Sequence, residues 1–345
     1  MTRADLVIET PGTSFVTDLG RPAAVELGQL TGGALDQYSA SVANTLVGRP
    51  AGDPLIEMTA FDFAARTSVD LLVAVTGAAA DLSVDGVAMP QWEPFVWPAG
   101  TTLAVRGIRG GMRCYLALGG LIAAPALLGS VAPDTVLGFG PPLRRGDRLP
   151  VTVDPLAARA VRFGLPLFRF GALPLPLTEP WVIDVCEGPD IDEFAGTAGR
   201  LFDTEFLVGQ RSNHVGIRLE AESRDELPRR TSTTEVLSRG VPIGAVEVPS
   251  GRELLVLHRG RGVTAGYPVL AVATTASLSL LGQVRPGQRV RFRLVDVDTA
   301  LAATRARAEQ VDELRARVHR ALTARGIGPR PTSPTTACLP HKEVS

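Results

Sequence analysis

The chain consists largely of short apolar runs of strand-forming residues, and this pattern limits its fold more than any other feature. Each run is bounded by glycine, proline, aspartate or asparagine, the residues that end strands and form turns. The close spacing of these turn residues argues against alternating strands and helices and predicts an all-β framework of barrel or sandwich type. The clearest runs are 6–9, 69–76, 103–106, 113–118, 181–186, 241–248, 253–257 and 289–297.

Helical patterns are few, and two of them are short. Asp36 can cap a helix over 37–47, which Gly48 then ends. Asp190, with Glu193 three residues later, predicts a capping box at the start of a second helix.

The longest helical pattern covers 299–325, where no glycine or proline interrupts the chain before Gly326. Its apolar residues recur at helical spacing and form one stripe, with arginines and acids elsewhere. We expect this stripe to dock against the rest of the chain, and a partner interface is the alternative. The stripe consists of Leu301, Val311, Leu314, Val318 and Leu322.

The length of 345 residues suggests two domains, because a domain usually takes about 100–200 residues. A proline-rich stretch without periodicity is the best candidate for the linker between them. The predicted parts are an N-terminal domain 1–165, a linker 166–180, a C-terminal domain 181–298, a helix 299–325 and a disordered tail 326–345.

Composition excludes several classes of protein. The net charge of −1 gives no electrostatic footprint for nucleic acid or a membrane surface. No unbroken apolar stretch reaches the roughly 18 residues that a membrane span needs, and we expect no signal peptide. Cys114, Cys186 and Cys338 are far apart and lack metal-ligand spacing, so we expect no metal ligand set. A cytoplasmic location in a reducing compartment is predicted.

Lysine is almost absent, since Lys342 in the predicted tail is the only one. This excludes a Schiff-base lysine, a phosphate-loop lysine and a biotinylated lysine within the folded body. Biotin would therefore have to arrive on a separate carrier protein. If ATP is bound, arginines and backbone N–H groups must hold its phosphates.

Several glycine-marked blocks recur in a defined order. They are Asp-Leu-Gly-Arg at 18–21, Gly-Gly-Ala-Leu-Asp at 32–36, Ala-Asn-Thr-Leu-Val-Gly at 43–48, Ser-Asn-His-Val-Gly-Ile-Arg-Leu at 212–219, Gly-Ala-Val-Glu-Val-Pro at 244–249 and Gly-Tyr-Pro at 266–268. In this order they resemble the family of 5-oxoprolinase C subunits. That family is also called biotin-dependent carboxyltransferase-like, allophanate hydrolase subunit 2-like, or the kinase-inhibitor antagonist family. The resemblance spans 7–302. It implies a mainly β fold of two cyclophilin-like β-barrel domains, with a few short helices and a long C-terminal helix.

In the N-terminal half, the resemblance implies catalytic roles for Asp18 and Arg21. An arginine offers a rigid fork to a carboxylate, and a neighbouring aspartate fixes its orientation; a local ion pair at a turn is the alternative. Substrate-binding roles fall on Asp36, Asn44 and Ser130. Asp36 is also explained as a helix cap, and Asn44 as a brace for a loop.

In the C-terminal half, the resemblance implies catalytic roles for Asn213 and His214. It implies substrate-binding roles for Arg218, Glu247 and Tyr267. The histidine has an alternative explanation, because a lone histidine is often a structural hydrogen-bonding residue.

The chain departs from the family pattern at several of these positions. His214 stands where the family usually has arginine, and Glu247 replaces a usual glutamine. Pro141 occupies a place that tends to hold arginine. Gly260 and Ala265 lie where the family has an aspartate and a Thr-Thr-Gly-Gly stretch, so a plausible acid/base or orienting group is missing.

The resemblance leaves three functions open. The first is a subunit of an ATP-dependent 5-oxoprolinase complex that hydrolyses 5-oxoproline to glutamate, together with partner proteins of the B type (kinase-inhibitor-like) and the A type. The second is a carboxyltransferase subunit that moves CO₂ from carboxybiotin on a separate carrier to a urea-like or amide nitrogen. The third is a non-catalytic regulatory partner of a B-type protein. We rank the first highest.

Overall fold

A computed structural model describes residues 2–153, 168–232, 236–249 and 253–324 of the chain. The predicted tail 326–345 and the predicted domain boundary at 165–166 lie outside these residues. The described part is mainly β, as the sequence predicts. It consists of a ten-stranded sheet from the N-terminal half, a closed barrel from the C-terminal half and a long C-terminal helix.

The N-terminal sheet is formed from β1 to β10. Its hydrogen-bonded path runs β2-β3-β8-β4-β1-β10-β9, and β5 lies beside β8 and also pairs with β6 and β7. The strands are β1 (Thr2–Thr10), β2 (Thr13–Thr17), β3 (Leu55–Thr59), β4 (Phe63–Thr67), β5 (Leu71–Val84), β6 (Val87–Ala88), β7 (Phe95–Trp97), β8 (Thr102–Leu118), β9 (Gly120–Ile122) and β10 (Arg148–Val153).

The two long strands organise this sheet. One end of β8 pairs with β4 and the other with β3, while β5 pairs along nearly its whole length. This branching leaves β2 and β9 at the two ends of the path, so the described strands form a curled open sheet and only the second predicted barrel is closed. Gly77 allows the close approach of β5 to β8, because a Cβ there would lie 2.3 Å from the carbonyl oxygen of Arg113.

The C-terminal half forms a closed seven-stranded barrel in the order β11-β18-β15-β16-β13-β12-β19. Parallel pairing of the first and last strands closes it, from Trp181 opposite Val290 to Val185 opposite Leu294. The strands are β11 (Trp181–Glu187), β12 (Phe206–Val208), β13 (Gly216–Glu220), β14 (Arg239–Gly240), β15 (Ala245–Glu247), β16 (Leu254–Leu257), β17 (Thr264–Ala265), β18 (Val269–Ala273) and β19 (Arg289–Leu294). The short β14 and β17 pair with each other outside the barrel.

Four α-helices accompany the strands in the described ranges: α1 (Gln37–Leu46), α2 (Arg200–Asp203), α3 (Thr275–Leu281) and α4 (Val297–Ala324). The predicted helix after Asp36 is confirmed, since the Asp36 carboxylate accepts a hydrogen bond from the backbone N–H of Ser39. The long C-terminal helix is also confirmed. Its residues Leu314, Val318 and Leu322 are buried in a cluster that includes α1. Leu301, predicted as part of the same stripe, is instead 45% exposed.

The predicted capping box at Asp190 is wrong. Only a 3₁₀ turn, Ile191–Phe194, follows Asp190, and the aspartate makes no capping hydrogen bond to it. Its carboxylate instead accepts the backbone N–H of Val269 at 2.7 Å and pairs with Arg239. A capping box does occur at Ser223, on the 3₁₀ turn Arg224–Glu226. No helix in the described ranges has both the length and the apolar character needed to cross a membrane.

Candidate functional site at the junction of the sheet and the barrel

Asp18 holds a loop of the N-terminal half in place. We call residues 127–139 the anchored loop. The Asp18 carboxylate is buried and accepts hydrogen bonds from the Ser130 hydroxyl at 2.6 Å and the Val131 N–H at 2.9 Å. It also accepts the N–H of Gly20 at 2.7 Å, which fixes its own tight turn. Because charge-assisted bonds to backbone N–H groups are strong, this carboxylate fixes the start of the loop.

Arg21 fastens the same loop from the other side. Only 3% of this residue is exposed, and its guanidinium donates to the carbonyl oxygens of Leu127, at 3.2 Å, and Ala132. Its Nη1 lies 3.8 Å from a carboxylate oxygen of Asp134 and has no hydrogen-bond partner among the described residues. The contacts of Asp18, Arg21 and Ser130 are thus those of a loop anchor. Their direct contact with a ligand stays a prediction.

The anchored loop meets the barrel at its tip. The Asp134 carboxylate accepts the N–H groups of Val136 and Leu137, each at 3.0 Å, which shapes the tip. The Thr135 hydroxyl then lies 3.0 Å from Nε2 of His214. Nearby, the Thr31 hydroxyl and the Gly32 N–H, both at 3.1 Å, donate to the carbonyl oxygen of Arg259. We call these five residues the junction: Thr31, Gly32, Thr135, His214 and Arg259.

His214 sits on a turn that Asn213 shapes. The Asn213 side-chain oxygen accepts the N–H groups of Val215 at 2.8 Å and Gly216 at 3.4 Å. Burial lowers the pKa of His214, and the positive charge of Arg113 lowers it further. The ring is therefore neutral near pH 7, so one ring nitrogen can accept a proton or hydrogen bond.

A polar face of the N-terminal sheet adjoins the junction, and sequence reasoning missed it. Glu57 on β3 lies opposite Tyr115 on β8, and Arg113 lies two residues along on the same face. Nε of Arg113 is 3.4 Å from a Glu57 carboxylate oxygen, so these two charges offset each other. Burial raises the pKa of Tyr115 well above its ordinary value. The sequence offers one signal for this polar face, which is the charged Glu57 inside the otherwise apolar run 55–58.

Gln283 joins the barrel to this face. Its Nε2 donates to the Asp36 carboxylate at 2.7 Å and to the carbonyl oxygen of Arg113 at 3.1 Å. Its Oε1 accepts the N–H groups of Met112 at 3.0 Å and Arg113 at 2.9 Å. All four hydrogen-bonding positions of the amide are therefore used, and Gln283 is fully buried. Asp36 is fully buried as well, and this burial raises its pKa. Its observed roles are helix cap and partner of Gln283.

Two other predicted site residues, Asn44 and Arg218, make contacts away from the junction. The Asn44 amide donates to the carbonyl oxygens of Ala51, at 3.1 Å, and Asp53, at 2.9 Å. This is the loop-bracing role that its position in the helix suggested. Arg218 forms an ion pair with Glu253, the residue directly before the neighbouring strand β16.

Glu247 lies on the barrel strand β15 and Tyr267 in the connection between β17 and β18, and neither belongs to the junction. Glu247 is 1% exposed, and its Oε1 has no hydrogen-bond partner among the described residues. Burial raises the pKa of Glu247 to about 7. Tyr267 is half-exposed and lines a separate cavity of about 750 Å³ together with Arg224, Arg229 and Pro249.

His258 is a further buried titratable group that sequence reasoning missed. Its Nδ1 accepts the backbone N–H of Arg259 at 2.9 Å, and its Nε2 lies 3.1 Å from the carbonyl oxygen of Leu278. Burial lowers the pKa of His258 to about 3, so the ring is neutral and structural. Across the described ranges, no cluster of three or more histidine, cysteine or acidic side chains is arranged to hold a metal ion.

Comparison with known proteins identifies relatives of the whole folded body. The family model described as "Carboxyltransferase domain, subdomain A and B" matches residues 27–294. The C subunit of the 5-oxoprolinase from Escherichia coli is 31% identical over 314 residues, which cover 88% of this chain and 95% of that protein. The urea amidolyase of Saccharomyces cerevisiae is 27% identical, and the match covers 83% of this chain but 16% of that protein.

Solved structures agree with this comparison. The crystal structure of TTHA0988 matches with a TM-score of 0.72 and 34% identity, covering 84% of this chain. This chain spans about half of that protein, since the match covers 55% of it. The Kluyveromyces lactis urea carboxylase matches 99% of this chain and 32% of its own, with a TM-score of 0.78 and 24% identity, and so shows the shared fold.

Proposed function

Because the chain belongs to the family of carboxyltransferase domains with subdomains A and B, we propose that it is the C subunit of an ATP-dependent 5-oxoprolinase. Such a complex hydrolyses the lactam of 5-oxoproline to glutamate. The observation that carries this choice is the length of the match. The C-subunit relative from Escherichia coli aligns over 95% of its own length, whereas the yeast urea amidolyase aligns over 16% of its own.

The junction supplies groups that this chemistry needs. Opening a lactam requires a hydrogen-bond or proton acceptor near the attacking water, and the neutral ring of His214 can serve. Asn213 holds the turn that presents this ring, and Thr135 contacts it from the anchored loop. We assign Asp18 and Arg21 as positioning residues, because they fix the loop that carries Thr135.

ATP would be held mainly by the partner proteins. The described residues of this chain include no lysine, and two of the arginines near the junction are already committed to protein groups, Arg113 to Glu57 and Arg21 to the anchored loop. In this proposal the complex contains two further proteins, one of the B type and one of the A type. The chain would contribute the site for 5-oxoproline and share ATP-driven activation with them.

Reconstitution tests this proposal. Purified chain is combined with its B-type and A-type partners, and glutamate formation is measured together with ATP hydrolysis. Activity that requires all components, and that His214→Asn lowers at least tenfold, is the expected result. His319→Asn is the matched control, since His319 is exposed on α4. Full activity without this chain, or an unchanged rate in His214→Asn, would refute the corresponding part of the proposal.

Carboxyl transfer is the second candidate, because the matched family model is described as a carboxyltransferase domain. The CO₂ donor would be carboxybiotin on a separate carrier, since the described residues include no lysine and the single lysine of the chain, Lys342, lies beyond them. The same preparation is assayed with carboxybiotin and urea. Transfer in the absence of 5-oxoproline-dependent ATP hydrolysis would favour this function over the first.

A further inference from the structure

Arg259 is a half-buried cation whose side chain has no partner in the described ranges. Its Nε is shielded from solvent and makes no hydrogen bond there. No acidic group forms an ion pair with it among these residues, in contrast to Arg113, which has Glu57, and Arg218, which has Glu253. A buried charge is normally paired, so an unpaired guanidinium next to a candidate site points to a missing anion.

The backbone of Arg259 is fixed on every side. Its carbonyl oxygen accepts hydrogen bonds from Thr31 and Gly32 of the N-terminal half, both at 3.1 Å. Its N–H donates to Nδ1 of His258 at 2.9 Å. The next N–H, that of Gly260, donates to the carbonyl oxygen of His214 at 2.9 Å. The side chain therefore starts from a position that both halves of the protein determine.

The surroundings leave the positive charge of Arg259 without compensation. Burial is the main reason that the pKa of Arg259 is lowered to about 10; the nearby Tyr115 raises it, the positive charge of Arg261 lowers it, and the guanidinium stays protonated at neutral pH. Arg113 is offset by Glu57, and the ring of His214 is neutral. Among the five junction residues, Arg259 is thus the one cation without an ion pair in the described ranges; the nearby buried Arg261 also lacks an ion pair there, but its Nε donates to the carbonyl oxygen of Val241.

We propose that Arg259 binds the carboxylate of a small-molecule ligand at the junction, next to His214. The planar guanidinium presents paired N–H groups that match the two oxygens of a carboxylate. This inference rests on the proposed function to the extent that the ligand is 5-oxoproline, whose carboxylate would be held by Arg259 and whose lactam would face His214. Arg259 is then the residue that distinguishes the acid from a neutral lactam.

A pair of matched ligands tests the role of the carboxylate. Binding of 5-oxoprolinate and of 2-pyrrolidinone, the same ring without the carboxylate, is measured by calorimetry on the full chain and on the assembled complex. We expect wild type to bind 5-oxoprolinate at least tenfold more tightly than 2-pyrrolidinone. Arg259→Gln should lose this preference, and Arg259→Lys should keep part of it. Arg305→Gln on the exposed face of α4 is the control and should behave as wild type.

The outcomes separate this inference from the proposed function. A complex that hydrolyses 5-oxoproline with an unchanged KM in Arg259→Gln overturns the role of Arg259 and leaves the proposed function intact. A complex without oxoprolinase activity, whose chain still binds 5-oxoprolinate through Arg259, refutes the function and supports the carboxylate site. Wild type that binds neither ligand overturns the inference. If the protein binds inorganic phosphate more tightly than 5-oxoprolinate, and Arg259→Gln loses this binding too, the carboxylate assignment is overturned and the ligand of Arg259 is a phosphate group.

Discussion

Gly260 lies directly against His214. A Cβ on residue 260 would be 2.3 Å from Cδ2 of the imidazole ring and 2.9 Å from the carbonyl oxygen of His214. The two positions at which the sequence analysis expects departures from the family pattern are therefore in direct contact. The histidine ring fills the space that any side chain at position 260 would enter.

This relationship predicts a coupled effect of substitution. Gly260→Ala should destabilise the protein by about 1–3 kcal/mol, because the new methyl group overpacks the ring. In a His214→Ala background the same substitution should cost at least about 0.5 kcal/mol less, since the ring is gone while the backbone contact remains. Urea unfolding of the four proteins in the cycle measures the coupling. Equal costs in both backgrounds would show that the ring is not the obstacle.

Removing the amide of Gln283 should weaken the joint between the sheet and the barrel. Gln283→Leu keeps the size of the side chain but leaves the N–H groups of Met112 and Arg113 unpaired, which predicts a loss of roughly 2–4 kcal/mol. Gln310→Leu on the exposed face of α4 is the matched control. The free energy of unfolding in urea is the measurement, and a loss no larger than that of the control would contradict the role given to Gln283.

Glu247 predicts a pH dependence of defined sign. Its pKa in the folded protein is about 7, above the ordinary value of 4.5, so the folded state holds the proton more tightly than the unfolded state. Its contribution to stability is full below about pH 4.5 and is lost as the pH rises through 7. Glu247→Gln should match wild type near pH 4.5. It should exceed wild type by roughly 2–3 kcal/mol at pH 8.5.

Unfolding free energies of both proteins from pH 4.5 to 8.5 test this sign. The titration of His258 affects both proteins equally and cancels in the difference. Glu309→Gln on exposed α4 should give a difference that does not change with pH. A constant difference for Glu247→Gln as well would mean that the carboxylate is solvated or paired in solution.

Asp18 should determine how firmly the anchored loop is held. Asp18→Asn replaces one carboxylate oxygen, which accepts hydrogen bonds, by an NH₂ group that faces N–H and hydroxyl donors. We therefore expect the free energy of unfolding to fall by about 1–3 kcal/mol. Hydrogen exchange at the amides of Val136 and Leu137 should accelerate, because the loop opens locally before the whole protein does. Asp312→Asn on α4 serves as the comparison. An unchanged rate of hydrogen exchange in the loop would contradict the anchoring role given to Asp18.

The buried stripe of α4 should contribute strongly to stability. Leu322 is 1% exposed and lies against Gly48 at the end of α1, so Leu322→Ala should cost about 2–5 kcal/mol. Leu301 on the same helix is 45% exposed, and its replacement by alanine should change stability by less than about 0.5 kcal/mol. Thermal unfolding of both variants provides the comparison. Similar losses for the two would contradict the packing described for this helix.

Sequence reasoning predicts the elements with strong local signals. Most of the strand runs, the cap at Asp36 and the C-terminal part of the apolar stripe of α4 depend on neighbouring residues, and they are found in the structure. The run 241–248 is a strand only over Ala245–Glu247. The capping box at Asp190 fails because tertiary contacts with Val269 and Arg239 take the carboxylate away from its own turn. The local capping pattern cannot show that donors far along the chain will compete for the Asp190 carboxylate.

The site is less accessible to such reasoning because its contacts join residues far apart in the chain. Thr135 and His214, or Asp36 and Gln283, have no local pattern in common. Arg259 is one arginine among many, and nothing in its local sequence shows that its Nε lacks a hydrogen-bond partner within the described ranges or that it lies at the junction. The predicted residues Asp18, Arg21 and Ser130 do come together, because their blocks shape the turns that form the anchor.

The hydrogen bonds of Gln283 have a consequence for how this protein can evolve. Its two acceptor bonds come from Met112 and Arg113, and its two donor bonds end on Asp36 and Arg113, all in the other half of the chain. A half exchanged with that of a relative would therefore bring mismatched hydrogen-bonding groups to a buried surface. We therefore expect a protein recombined between its halves to stay stable only where Gln283 and its partners come from the same parent.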